Sequence, residues 1–228
     1  MTLVRSALSE LVGTAFLVAT VVGSAVMATR LTDDVGLQLL INSTATGTVL
    51  VALILALQPV SAAFNPVVTL IELVLGLVGP LVAACHVGAQ VVGGILGAIL
   101  ANLMFDLDAV SIAATQRDGG HLLIAEVVAT LGLVLIVFGS IRSGRTETIA
   151  FAVGGYIAAA YWFTSSTSFA NPAVTVARMF SDTFAGIAPA SVPLFVLMQL
   201  VGGGLALGML RLLHPASSST PAVQEDLR

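Results

Sequence analysis

Apolar residues run through this chain in blocks of about twenty, broken by short polar or glycine- and proline-bearing segments, instead of recurring on one helical face. A hydrocarbon core of about 30 Å takes about 20 residues of α-helix. Six stretches have that length: residues 7–28, 36–57, 81–104, 122–140, 148–167 and 192–213. Two other apolar pieces are too short to cross. Residues 66–78, closed by Gly79-Pro80, and 172–185, closed by Gly186 and Pro189, would each reach only about 20 Å as a helix, so both are expected to be re-entrant half-helices.

The two halves echo each other. Glu10-Leu-Val-Gly13-Thr14 returns as Glu126-Val-Val-Ala129-Thr130, Asn65-Pro66-Val67-Val68-Thr69 as Asn171-Pro172-Ala173-Val174-Thr175, and Gln90-Val-Val-Gly93-Gly94 as Gln199-Leu-Val-Gly202-Gly203. With an odd number of spans per repeat, the second must enter the membrane from the opposite side, which makes the repeats inverted. The expected fold is therefore an all-α membrane protein of six spans and two half-helices. It divides into a first repeat (1–110), a second (121–214) and a disordered serine-rich tail (215–228). Arg5 ahead of a run ending near Ala25 and Ala28 has the form of a secretory leader, but its internal partner in the second half favours a retained span.

Composition narrows the function. The 228 residues are 57% apolar and 9% charged, with a mean hydropathy of +1.07, against roughly 25% charged in a soluble domain. All eight basic residues are arginine and the net charge is −4, which offers nothing to nucleic acid. Without lysine there is no phosphate-binding Gly-x-x-x-x-Gly-Lys loop. Cys85 is alone, and His86, His121 and His214 lack metal-site spacing, so neither metal nor cofactor is expected. Tyr161 and Trp162 fit either interfacial anchors or core. Arg5, Arg142, Arg145, Arg211 and Arg228 fall on one side of this topology and Arg30 and Arg117 on the other, which places both termini in the cytoplasm.

Each Asn-Pro pair has the form of a helix start, with Asn as N-cap and Pro at the first helical position. Half-helices entering from opposite faces would bring their N-termini together near the midplane, each with about half a positive elementary charge. Cations would be repelled there, while the Asn65 and Asn171 amides would donate into a lumen. A lipid-exposed loop at that depth would leave backbone groups unpaired.

These paired boxes, the Glu-x-x-small-Thr starts of spans one and four, and the six-plus-two pattern resemble the aquaporin and aquaglyceroporin (major intrinsic protein) family over nearly the whole chain. The resemblance implies a passive channel for small uncharged solutes, no enzyme activity, a plasma-membrane location and a homotetramer. It implies a central constriction at Asn65, Pro66, Val67, Asn171, Pro172 and Ala173, with Val67 departing from the usual alanine and adding bulk. Glu10 and Glu126 would be props for the re-entrant loops, with proton relay as the alternative. Gln90 and Gln199 would assist them, or would lie in helix contacts beside the glycine pairs.

At the outer constriction the family usually has an arginine third after the second asparagine; here it is Val174. Spacing from the boxes gives Thr46, Ala159 and Ser168 as the other three members, an expected ring of small side chains suited to solutes larger than water. Arg178 and Glu72, seven residues after Asn171 and Asn65, are either vestibule residues or side chains snorkelling to the interface. The arginine-less pattern resembles aquaglyceroporins linked to arsenic resistance, which implies neutral metalloid hydroxides such as arsenous acid, methylated arsenicals or glycerol. Three alternatives remain: a glycerol or water channel without arsenic chemistry, an ion-coupled transporter using the two glutamates, and a closed membrane scaffold.

Overall fold

The computed structural model describes residues 2–213, and within them the regular structure is all helical. Eight α-helices follow in order: α1 (Leu3–Leu31), α2 (Val35–Leu57), α3 (Pro66–Val74), α4 (Pro80–Met104), α5 (Gly120–Arg142), α6 (Ile149–Phe163), α7 (Pro172–Ala177) and α8 (Val192–Leu213). Five are long and apolar enough to cross a bilayer unaided. The sixth, α6, has 15 residues and is preceded by the 3-10 turn Thr146–Thr148. At 1.5 Å per α-helical and about 2.0 Å per 3-10 residue the pair spans about 28 Å, enough for the hydrocarbon. The expected span 148–167 is thus corrected at its far end: helix stops at Phe163, and the Thr-Ser-Ser-Thr-Ser run after it is open backbone. The expected tail, with His214 and Arg228, lies outside the described residues.

Both half-helices are present and shorter than expected. Asn65 caps α3 by accepting from Val67 N at 2.9 Å, and after the nine residues of this helix the chain turns at Gly76, whose φ of +72° is open to glycine at no steric cost. Asn171 caps α7 by accepting from Ala173 N at 3.0 Å and Val174 N at 3.3 Å. After six residues α7 tightens into the 3-10 turn Arg178–Phe180. Residues 181–185, expected as half-helix, form a loop.

Glycine lets the long helices close on these rods. Helix α1 packs chiefly on α4, and α5 on α8. A Cβ at Gly93 would lie 2.2 Å from the Leu11 carbonyl oxygen, and one at Gly97 at 2.2 Å from that of Ala15, so α4 can approach α1 this closely only without side chains. The second glycine of each pair faces a half-helix of the other half of the chain: Gly94 faces Ala177 and Ala173 of α7, and Gly203 faces Val67 of α3. Exposed leucines, valines and phenylalanines on the outer helix faces, Phe16, Leu100, Phe151 and Leu205 among them, suit a surface that meets lipid or other subunits.

Candidate functional site: a passage between two half-helices

A continuous cavity of about 370 Å³ runs between the helices, from Ser6, Gln58, Glu72 and His86 at one end to Tyr161, Ser168, Val174 and Arg178 at the other, past Asn65 and Asn171. Much of its wall is non-helical backbone, residues 60–65 on one side and Ser168, Phe169 and Asn171 on the other. Irregular backbone at membrane depth survives only where it is buried in protein or lines such a cavity.

Each of these loops is fixed by a buried glutamate. The Glu10 carboxylate accepts from Ala63 N (2.9 Å) and Phe64 N (2.7 Å), from the Ser61 hydroxyl (2.5 Å) and from Gln90 Nε2 (2.8 Å). Glu126 accepts from Phe169 N and Ala170 N, both at 3.0 Å, and from Gln199 Nε2 at 2.6 Å. Gln90 also donates to the Thr69 hydroxyl of α3 at 2.9 Å, and Gln199 to the Thr175 hydroxyl of α7 at 2.8 Å. Both carboxylates are 0% exposed. Filling their acceptor sites with loop N–H groups offsets the cost of burial. The loops need this hold: Phe64 and Ala170, each just before its asparagine, have φ of +49°, and Thr167 and Ser168 have +61° and +50°, conformations that cost non-glycine residues about 1–3 kcal/mol each.

The asparagines join the halves directly. Asn171 Nδ2 donates to the Phe64 carbonyl at 2.7 Å, and Asn65 Nδ2 donates to the Ala170 carbonyl at 2.8 Å. One N–H of each amide is spent on the opposite loop, and the other is left for the cavity that both residues line. Pro66, Val67, Pro172 and Ala173 are buried in packing and do not wall the cavity, which corrects their place in the central constriction. The extra bulk of Val67 goes into the space beside Gly203, where a Cβ would come within 2.5 Å of Val67 Cγ1. Val68 walls the cavity in its stead.

At the far end, Thr46, Ser168 and Val174 line the cavity, whereas Ala159 does not: it is on the exposed side of α6. Ile157 and Tyr161, one helical turn apart, supply that wall. Tyr161 is buried and its hydroxyl meets that of Thr46 at 3.2 Å. Trp162 is half exposed and donates to the Ser43 hydroxyl at 3.1 Å. Arg178 and Glu72 both line the cavity. Arg178 is 2% exposed, stacked 3.5 Å from the Phe169 ring centre, with Nε donating to the Ala185 carbonyl, so it does not snorkel. His86, unassigned in the sequence, is buried in the wall at the other end. Among the described residues no group of His, Cys, Asp and Glu side chains could hold a metal ion.

A bundle of spans around two opposed, asparagine-capped half-helices and a lined passage defines a membrane channel of the aquaporin architecture. The chain belongs to the major intrinsic protein family, whose sequence pattern matches residues 1–164. It is 47% identical over 216 residues to the aquaglyceroporin AqpS of Rhizobium meliloti (strain 1021), covering 94% of this chain and 92% of that protein. It is 32% identical over 178 residues to aquaporin A of Dictyostelium discoideum, covering 72% of this chain and 63% of that protein. Among solved structures, the X-ray structure of the aquaglyceroporin from Plasmodium falciparum shares the fold with a TM-score of 0.71 at 16% identity, over 92% of this chain and 96% of that one. The protein is accordingly an aquaglyceroporin-like, multi-pass membrane channel for small solutes and not an enzyme.

Proposed function

We propose that the channel conducts small neutral polyhydroxylated molecules, glycerol and metalloid hydroxides such as arsenous acid, together with methylated arsenicals. The observation that carries this reading is the composition of the ring at the Tyr161 end. Val174 stands where relatives usually place an arginine, so the wall carries an apolar side chain together with the hydroxyls of Thr46 and Tyr161. Such a ring pairs a hydrogen-bonding side with an apolar side, which suits a solute that carries hydroxyl groups on a compact apolar or metalloid centre. Arsenous acid is uncharged at neutral pH and resembles a small polyol in size, so it needs no fixed charge to pass.

Transport is passive. A solute gives up water contacts for the hydroxyl pair, then for the free N–H of Asn65 and Asn171, then for the cavity leading to Glu72 and His86. The N-terminal ends of α3 and α7 and the guanidinium of Arg178 disfavour cations, including hydronium. Glu72 and Arg178 act as the vestibule residues of the two mouths. The chain sits in the plasma membrane with both termini in the cytoplasm and assembles as a homotetramer, the arrangement favoured by its arginine distribution and family membership.

Uptake into proteoliposomes tests the reading, with arsenous acid, glycerol and water measured on one preparation. Arsenous acid and glycerol are expected to enter well above the rate of protein-free vesicles. Arsenous acid flux equal to that of empty vesicles, with glycerol flux intact, would leave a glycerol channel without metalloid chemistry.

A further inference from the structure

Beside the Tyr161 end of the passage lies a second cavity of about 130 Å³, walled in part by Asn42, Arg117, Thr167, Arg178, Phe184 and Ala185. No carboxylate is in its wall, although Asp33, Asp34, Asp118 and Asp182 belong to the same end of the molecule. Asp182 is engaged elsewhere, accepting from Ala114 N at 3.0 Å. Two guanidinium groups therefore meet in one small chamber whose wall holds no carboxylate, the buried Glu126 attracting both from behind it.

Their positions are rigid. Both lie against the Phe169 ring, with Cζ of Arg178 at 3.5 Å and Cζ of Arg117 at 5.0 Å from its centre, so the two cations are no farther apart than those distances together. Arg117 Nε donates to the Gly186 carbonyl at 2.9 Å and its Nη2 to that of Phe184 at 3.4 Å, while Arg178 Nε donates to the carbonyl between them, Ala185. A guanidinium has five N–H groups, and among the described residues the terminal amino groups of Arg178, a side chain 2% exposed, have no protein acceptor. Cationic donors held side by side with open space in front of them favour an acceptor that carries negative charge.

We propose that this chamber binds a small inorganic oxyanion of the phosphate or sulfate kind, gripped between Arg117 and Arg178, with the Thr167 hydroxyl as a further donor. The shape of the donors fits: planar guanidiniums meet tetrahedral oxyanions through paired N–H groups. The chamber, at about 130 Å³, has room for several heavy atoms, since a lone water needs only about 10–15 Å³. Arg178 is the wall shared with the main passage, so an anion seated there sets the charge felt at that mouth by a passing solute.

Binding is measured on the purified full chain in detergent, with inorganic phosphate and then sulfate at low millimolar concentration and chloride holding the ionic strength constant. These readouts are independent of which solute crosses. The expected result is a saturable calorimetric heat and a thermal midpoint raised by about 2–4 °C when the site is filled. Arg117→Gln should lose both effects, and Arg117→Lys, which keeps the charge and loses the fork, should keep a weaker heat. Any general stabilisation by sulfate is common to wild type and Arg117→Gln, so the site is read as the difference between them. Absence of a saturable heat for both anions, or midpoints of wild type and Arg117→Gln that respond identically, would overturn the proposal.

Discussion

Asn171 reaches across the molecule to the Phe64 carbonyl at 2.7 Å, tying the second capped half-helix to the loop that precedes the first. Asn65 returns the bond to Ala170 at 2.8 Å. The two asparagines thus do three things at once: cap a helix, hold the opposite loop and present an N–H to the cavity. Asn171→Asp keeps the cap but has no N–H to donate, and sets a carboxylate oxygen against a carbonyl. It is expected to destabilise the protein by about 1–3 kcal/mol and to lower solute flux, checked by thermal unfolding in detergent and by stopped-flow light scattering.

Glu126 is a structural acceptor and not a proton carrier in this account. Glu126→Ala would leave Phe169 N and Ala170 N without their acceptor and Gln199 Nε2 with the Thr175 hydroxyl alone, at a cost of about 2–4 kcal/mol. The thermal midpoint should fall sharply. Glu126→Gln, which retains one acceptor oxygen, should fall less, and any flux it retains should be insensitive to an imposed proton gradient.

The wall at the Thr46 end distinguishes two neighbouring positions on α6. Tyr161→Ala should alter the ratio of glycerol to water permeation, because Tyr161 lines the cavity. Ala159→Leu should leave that ratio unchanged, because Ala159 faces outward. The reverse pattern would place the ring on the other face of the helix.

Val174→Arg introduces a long cation into the same wall, near Arg178. It should reduce glycerol and arsenous acid flux more than water flux. An unchanged ratio would mean that Val174 does not help to form the limiting ring.

Gly13 of α1 admits the Phe64 ring so closely that a Cβ there would lie 2.0 Å from a ring carbon. Phe64 cannot swing aside while Glu10 holds its N–H and Asn171 its carbonyl. Gly13→Ala should therefore cost about 1–3 kcal/mol or more, read as a lowered thermal midpoint.

The six spans and the two half-helices were legible because their signals are long-range in sequence: apolar length, Asn-Pro caps and recurrence of three motifs. Glu10, Glu126, Gln90 and Gln199 stood out for a related reason, as polar groups in apolar surroundings that must have partners. What escaped was local. Only the hydroxyl run Thr164–Ser168, with no proline or glycine, marks the end of α6 at Phe163, so a span to residue 167 is four residues too long, and the left-handed Thr167 and Ser168 carry no glycine to announce them. Counting back from Asn171 to Ala159 crosses that irregular loop, where helical phase is lost; on the helix itself Ile157 and Tyr161 share a face, and Ala159 is about 200° from either. The shortness of α7 is hidden because no proline or glycine follows Ala177 until Gly186, although the polar Ser181-Asp182-Thr183 run marks the loop. The place of Val67 depended on Gly203, a partner from the other end of the chain.

Solute entry into proteoliposomes with and without an imposed pH difference tests the passive channel most directly. The account predicts glycerol flux that rises linearly with concentration and is unchanged when the proton gradient is reversed or collapsed by an ionophore. Flux that saturates and vanishes with the gradient would contradict it and make the passage the substrate route of a proton-coupled transporter.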